Sequence, residues 1–191
     1  MPSRTAKVTR MPAARAEKPF LSDVETLRKR ARKAIEEGAV TPGYAADRQA
    51  VCRVLNEALA TEIVCVLRYK RHYFMAQGLA SDSVKKEFLE HANEEQAHAD
   101  QIAERIVQLG GEPDLNPAVL AGRSHSEYVE GDNLVSMIRE DLVAERVAIE
   151  SYREIIAWLA TADPTTRRLM EAILAVEEEH ADDMQSLLSR M

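Results

Sequence analysis

Four glutamates and two histidines in this chain are spaced so that together they could hold a pair of metal ions: Glu62, Glu95, His98, Glu145, Glu177 and His180. Glu95 with His98, and Glu177 with His180, stand three residues apart. On a helix, positions i and i+3 project to the same side, so each pair offers a carboxylate oxygen and an imidazole nitrogen to one point. Their places on the helical wheel matter more than their charge. Glu62 falls in the run Leu55, Leu59, Val66, Tyr69, and Glu95 and His98 fall among Val84, Phe88, Ala92, Ala99 and Ile102. Glu145 falls among Ile138, Leu142, Ile149, Tyr152 and Ile156, and Glu177 and His180 among Met170, Ile173, Met184 and Leu187. Each occupies a place where leucine would ordinarily sit. An ionised carboxylate buried without a partner is very costly, and four in one core would also repel one another. Two divalent cations answer both problems, and mixed carboxylate and imidazole ligation suits iron or manganese better than the thiolate-rich sets of structural zinc.

A lone Glu-x-x-His arises by chance in glutamate-rich helices. Here the pattern is doubled at matching separations, Glu62 to Glu95 spanning 33 positions and Glu145 to Glu177 spanning 32. Leu59-Ala60-Thr61-Glu62 is echoed by Leu142-Val143-Ala144-Glu145, with Tyr69 and Tyr152 each seven residues beyond its glutamate, so one helical hairpin reads as duplicated. A solvated acidic face is the competing reading. It sits poorly with residues that lie on apolar stripes.

Four long helices must position these side chains. The first is expected from about Asp47 to Gly78, with Leu55, Ala58, Leu59, Val66 and Ala76 inward and Arg53, Glu57, Lys70 and Arg71 outward. Ser81 and Asp82 can cap a second, which carries Phe88, Ala92, Ile102 and Ile106 inward until Gly110-Gly111 stops it. Residues 112–131, with two prolines and two glycines, form the long connection. A third helix is expected over about Asp132 to Ala160, and Asp163-Pro164 opens the fourth. Upstream, residues 1–20 read as a mobile basic arm, with Arg4, Lys7, Arg10, Arg15 and Lys18 against Glu17. Residues 21–45 read as an accessory helix and turn, starting at Ser22 with Glu25 in capping-box spacing and running to about Gly38, and residues 46–191 as the bundle.

The 191 residues, 46% hydrophobic and 30% charged with a net charge of −7, suit a water-soluble helical domain. No run approaches the roughly 18 apolar residues of a membrane helix, and the N-terminus lacks the apolar core of a signal peptide, so no membrane partner and a cytoplasmic location are expected. Cys52 and Cys65, about 20 Å apart on one helix at ~1.5 Å per residue, cannot pair with each other and read as small buried thiols.

From about residue 47 onward the chain resembles the ferritin and bacterioferritin superfamily. The resemblance is carried by Leu59 to Tyr69, by Glu94-Glu95-Gln96-Ala97-His98, by Glu145 and by Glu177 to His180. It implies an all-α, ferritin-like four-helix bundle of two hairpins joined by a long crossover, with the extra N-terminal helix added. It implies a di-iron site in which Glu62 and His98 hold one iron, Glu145 and His180 the other, and Glu95 and Glu177 bridge them. It implies ferroxidase activity, Fe²⁺ to Fe³⁺ with O₂ or H₂O₂, and iron storage in a homo-oligomeric cage. Tyr69 matches a tyrosine beside the site that could bind a ligand or donate an electron, although a core aromatic is an equal reading. Tyr152 reads as packing. Haem is not expected, because Gln96 occupies the haem-ligating methionine position. The chain ends eleven residues after His180, which leaves no room for a fifth helix and favours a 12-mer over a 24-mer.

Two other classes stay open at this stage. The basic arm suits a Dps-like, DNA-binding protective cage, and the same ligand set serves a di-manganese catalase. A rubrerythrin-like peroxidase is disfavoured because Cys-x-x-Cys pairs are missing. His72 reads as helix surface, His125 as part of the crossover, and His91, one turn before Glu95, as a candidate neighbour of the site.

Overall fold

In the computed structural model, residues 22–78 and 81–191 are described, and the basic arm anticipated over residues 1–20 lies outside them. Among the described residues the structure is helical and without strands. It has a short α1 (Val24–Ala31), the long helices α2 (Arg48–Met75) and α3 (Ser81–Gln108), a single-turn α4 (Leu120–Arg123), then α5 (Leu134–Leu159) and α6 (Pro164–Leu188). No described helix is long and apolar enough to cross a membrane.

The ends of the long helices follow from local chemistry. The Asp47 carboxylate accepts the Ala50 N–H at 3.1 Å to open α2. Asn133 and Ser136 cap α5 reciprocally. Asp163 accepts the Thr166 N–H at 2.9 Å while Pro164 occupies the first turn of α6, where its missing N–H costs nothing. After α3 the chain turns through Gly110 at φ 77°, and Gly111 follows so closely on α2 that a Cβ would stand 2.7 Å from Cys52 Sγ.

Antiparallel α2 and α3 pack along their lengths, as do α5 and α6, and the connection over 112–131 joins the two hairpins. The apolar core is split into two layers. Leu55, Leu59, Ile102, Ile106, Leu159 and Ile173 belong to one, and Tyr69, Phe88, Ile138 and Met184 to the other. The six candidate ligands fall between them along every helix.

Three differences from expectation have local or tertiary causes. α1 starts one residue later than anticipated, because Asp23 rather than Ser22 accepts the Thr26 N–H, and a charged acceptor suits a helix N-terminus better. It also stops at Ala31 instead of about Gly38. No α1 side chain is buried, so nothing holds a longer helix against fraying, and Ala34 takes a left-handed conformation before a 3-10 turn at Ile35–Glu37. His72 is fully buried instead of surface-exposed. The crossover lies along α2 there and places the Val129 and Glu130 carbonyls 3.1 Å from His72 Nε2.

Candidate metal centre

Each of the long helices delivers its part of the sextet to the same level of the bundle. Glu62, Glu95, Glu145, Glu177 and His180 are at most 1% exposed, and His98 is 5% exposed. The structure brings all six together as two groups of four. Glu62, Glu95, His98 and Glu177 form one, and Glu95, Glu145, Glu177 and His180 the other, with the ligand-type atoms of each group lying within 4.8 Å of one another. Glu95 and Glu177 belong to both groups.

Inside the first group His98 Nδ1 lies 2.9 Å from Glu177 Oε1 and 3.5 Å from Glu62 Oε2. Inside the second, His180 Nδ1 lies 3.4 Å from Glu95 Oε1 and 3.5 Å from Glu177 Oε2. These contacts are close but not aligned as hydrogen bonds. Among the described residues, eight buried side-chain nitrogen and oxygen atoms lack a hydrogen-bond partner, and seven are Glu62 Oε2, Glu95 Oε1, Glu145 Oε2, both Glu177 oxygens, His98 Nδ1 and His180 Nδ1. Buried polar atoms are nearly always satisfied, so a concentration of unpartnered atoms at one point favours added positive charge, as protons or as a cation.

The groups around the sextet orient it. Tyr69 on α2 donates its hydroxyl to Glu145 Oε1 on α5 at 2.5 Å, and Tyr152 on α5 donates to Glu62 Oε1 on α2. Each tyrosine therefore ties a glutamate of the opposite hairpin and leaves that glutamate's other oxygen facing the centre. Tyr152 is thus more than the packing residue anticipated, and its repeat relation to Tyr69 was the sequence signal for it. Glu94 Oε2 sits 2.8 Å from His180 Nε2. With the Nε2 hydrogen donated there, a neutral ring would turn its Nδ1 lone pair to the glutamates, the arrangement that positions a histidine for a metal. His91 stacks on His180 with ring centroids 3.9 Å apart.

Protons can do part of a cation's work here, and the site's acidities show it. Burial, then the Glu95 and Glu177 charges, push the Glu62 and Glu145 carboxyls well above the usual range. Burial opposes a charged His98 ring, but Glu177, Glu62 and Glu95 outweigh it and raise His98 to about 12. Burial likewise opposes charge on His180, and Glu177 and Glu95 raise it to about 11. Burial alone would raise Glu95, yet Glu62, His180 and His98 hold it below the usual carboxylate range.

The structure is thus a bundle of two joined helical hairpins with a buried sextet of carboxylates and imidazoles at its centre that could hold metal ions. Residues 52–191 match the Ferritin-like domain family, and the chain belongs to it. It is 33% identical over 134 residues to the nutrient stress-induced DNA-binding protein of a Synechococcus strain, covering 69% of this chain and 76% of that protein. It is 31% identical over 137 residues to the bacterioferritin of Brucella melitensis, covering 70% of this chain and 80% of that one. Among solved structures, the dodecameric thioferritin of Bacteroides fragilis is similar with a TM-score of 0.74 and 34% identity, over 76% of this chain and 88% of that one.

Proposed function

We propose that this protein oxidises ferrous iron at an intrasubunit pair of sites and stores the product in an oligomeric cage, with twelve subunits favoured. The observation that carries this reading is the set of seven unpartnered atoms contributed by Glu62, Glu95, His98, Glu145, Glu177 and His180. Iron is the substrate here. Glu62 and His98 would receive one ion, Glu145 and His180 the other, and Glu95 and Glu177 would touch both. Each ferrous ion gives up one electron, so a pair held side by side delivers two electrons to a single O₂ or H₂O₂ molecule and releases less radical. Tyr69 and Tyr152 hold the outer glutamates in position, and Glu94 holds His180. Manganese is accepted by the same residue types. A di-manganese catalase is distinguished by peroxide disproportionation without net iron oxidation.

Aerobic addition of Fe²⁺ to the purified protein, followed by ferric absorbance, tests the proposal. Glu95→Ala and His98→Ala should each slow oxidation on the order of a hundredfold, while size-exclusion mass stays that of the wild type. Wild-type rates in either variant would defeat it.

The DNA-binding protein of Synechococcus supports a second reading. In it the cations Arg4, Lys7, Arg10, Arg15 and Lys18 of each subunit add up across the oligomer to bind DNA phosphates. Loss of a low-salt gel shift on deleting residues 1–20 is the expected result, and no shift with the full chain removes this reading.

A further inference from the structure

The face shared by α3 and α6 carries a second convergence of ligand-type atoms outside the sextet. Glu87 and His91 stand one turn apart on α3, Asp183 comes from α6, and their facing atoms lie within 4.8 Å of one another. His91 is 2% exposed, while the side chains of Glu87 and Asp183 are 32% and 45% exposed, so a buried imidazole closes the floor of a site open to solvent.

The hydrogen bonds fix what that imidazole presents. Tyr69 has one hydroxyl hydrogen, and Glu145 receives it. At 3.2 Å from His91 Nδ1, the Tyr69 oxygen can then only accept, so Nδ1 carries the ring hydrogen. Among the described residues His91 Nε2 makes no hydrogen bond. Its neighbours are Glu87 Oε1 and Asp183 Oδ2, each at 3.6 Å, beyond hydrogen-bond reach. A lone pair held between two carboxylates brings three acceptors to one point, and a divalent cation there satisfies all three.

The position also has a direction. The His91 ring lies flat against His180, and His91, Glu94 and His180 form a further group within 4.8 Å. Ligand-type atoms therefore continue without a break from Glu87 and Asp183 at the surface, past His91 and Glu94, to His180 in the buried sextet.

We propose that Glu87, His91 and Asp183 form an outer divalent-cation site through which ferrous iron passes to the buried pair. The passage role rests on the iron-oxidation reading, whereas cation binding at the outer site does not. Mn²⁺, which resists oxidation by air, serves as the probe in anomalous-scattering maps of crystals of the assembled protein. The wild type should show a peak between Glu87, His91 and Asp183 in addition to those in the sextet. The Glu87→Gln, Asp183→Asn double variant should lose the outer peak alone, and its initial rate of aerobic Fe²⁺ oxidation at limiting iron should fall roughly tenfold. Absence of an outer peak in the wild type at saturating Mn²⁺, or its persistence in the double variant, overturns the site. An unchanged oxidation rate after the peak is lost overturns the passage role. An outer peak with an empty sextet upholds the outer site and defeats the iron-oxidation reading instead.

Discussion

Two buried clusters of carboxylate and imidazole side chains lie close together in this bundle, one of them with an arginine, and they behave in opposite ways. In one, Arg68 Nε donates to Asp141 Oδ1 at 2.8 Å, and His72 Nδ1 faces Asp141 Oδ2 at 2.8 Å. Arg68 Nη1 donates to the Glu127 carbonyl at 3.2 Å and Nη2 to Cys65 Sγ at 3.4 Å, while the Val129 and Glu130 carbonyls each lie 3.1 Å from His72 Nε2. Every buried polar atom of that trio has a partner, and the cluster fastens the crossover to α2 and α5. One turn along α5, at Glu145, the acceptors outnumber the donors and seven atoms are left over. Burial of charge therefore does not mark a functional site by itself. The shortage of internal partners does.

The largest expected effect separates the two clusters. Asp141→Ala leaves the Arg68 guanidinium buried without its carboxylate and should cost about 3–5 kcal/mol of folding stability. Its signature is a large drop in melting temperature that added divalent metal cannot repair by more than mass action allows. Glu145→Gln should do the reverse. Since burial and the Glu95 and Glu177 charges disfavour an ionised Glu145 in the metal-free site, a neutral amide should leave the melting temperature of chelator-treated protein nearly unchanged. Divalent-metal binding should fall sharply. Equal destabilisation by both substitutions would erase the distinction.

A smaller effect should appear in the pH dependence of the metal-free protein. His98 and His180 hold protons up to about 12 and about 11, against 6.5 for an ordinary histidine. Folded-state values raised in this way contribute stability that is fully present below the unfolded value and is lost as pH rises towards the folded one. Chelator-treated protein should therefore melt lower at about pH 9 than at about pH 6, whereas metal-loaded protein should be flatter across that window, because cations have displaced the protons. Parallel pH profiles with and without metal would mean that no exchange of protons for cations takes place.

Much of this arrangement was legible in the residues. The four long helices, the start near Asp47, the opening at Asp163-Pro164 and the stop at Gly110 are local signals written within a few positions of one another. The sextet could be read because the helical period forces Glu62, Glu95, Glu145 and Glu177 onto apolar stripes. What escaped depends on contacts between distant segments. His72 is covered by the crossover, by Asp141 of α5 and by Phe88 of α3, so periodicity within α2 says nothing of its burial. Tyr152 and Glu62 meet across 90 residues, and Glu94 and His180 across 86. The short length of α1 reflects the lack of tertiary packing on its apolar side chains, which no capping pattern reports.

The di-metal reading of the sextet is tested most directly by where iron binds. Iron-edge anomalous maps from crystals of the assembled wild-type protein loaded with Fe²⁺ should show two peaks per subunit at the level of Glu62 and Glu145, one beside His98 and one beside His180, with Glu95 and Glu177 between them. Maps showing no iron at that level, with the six side chains turned to solvent or closed on one another through ordinary hydrogen bonds, would contradict it.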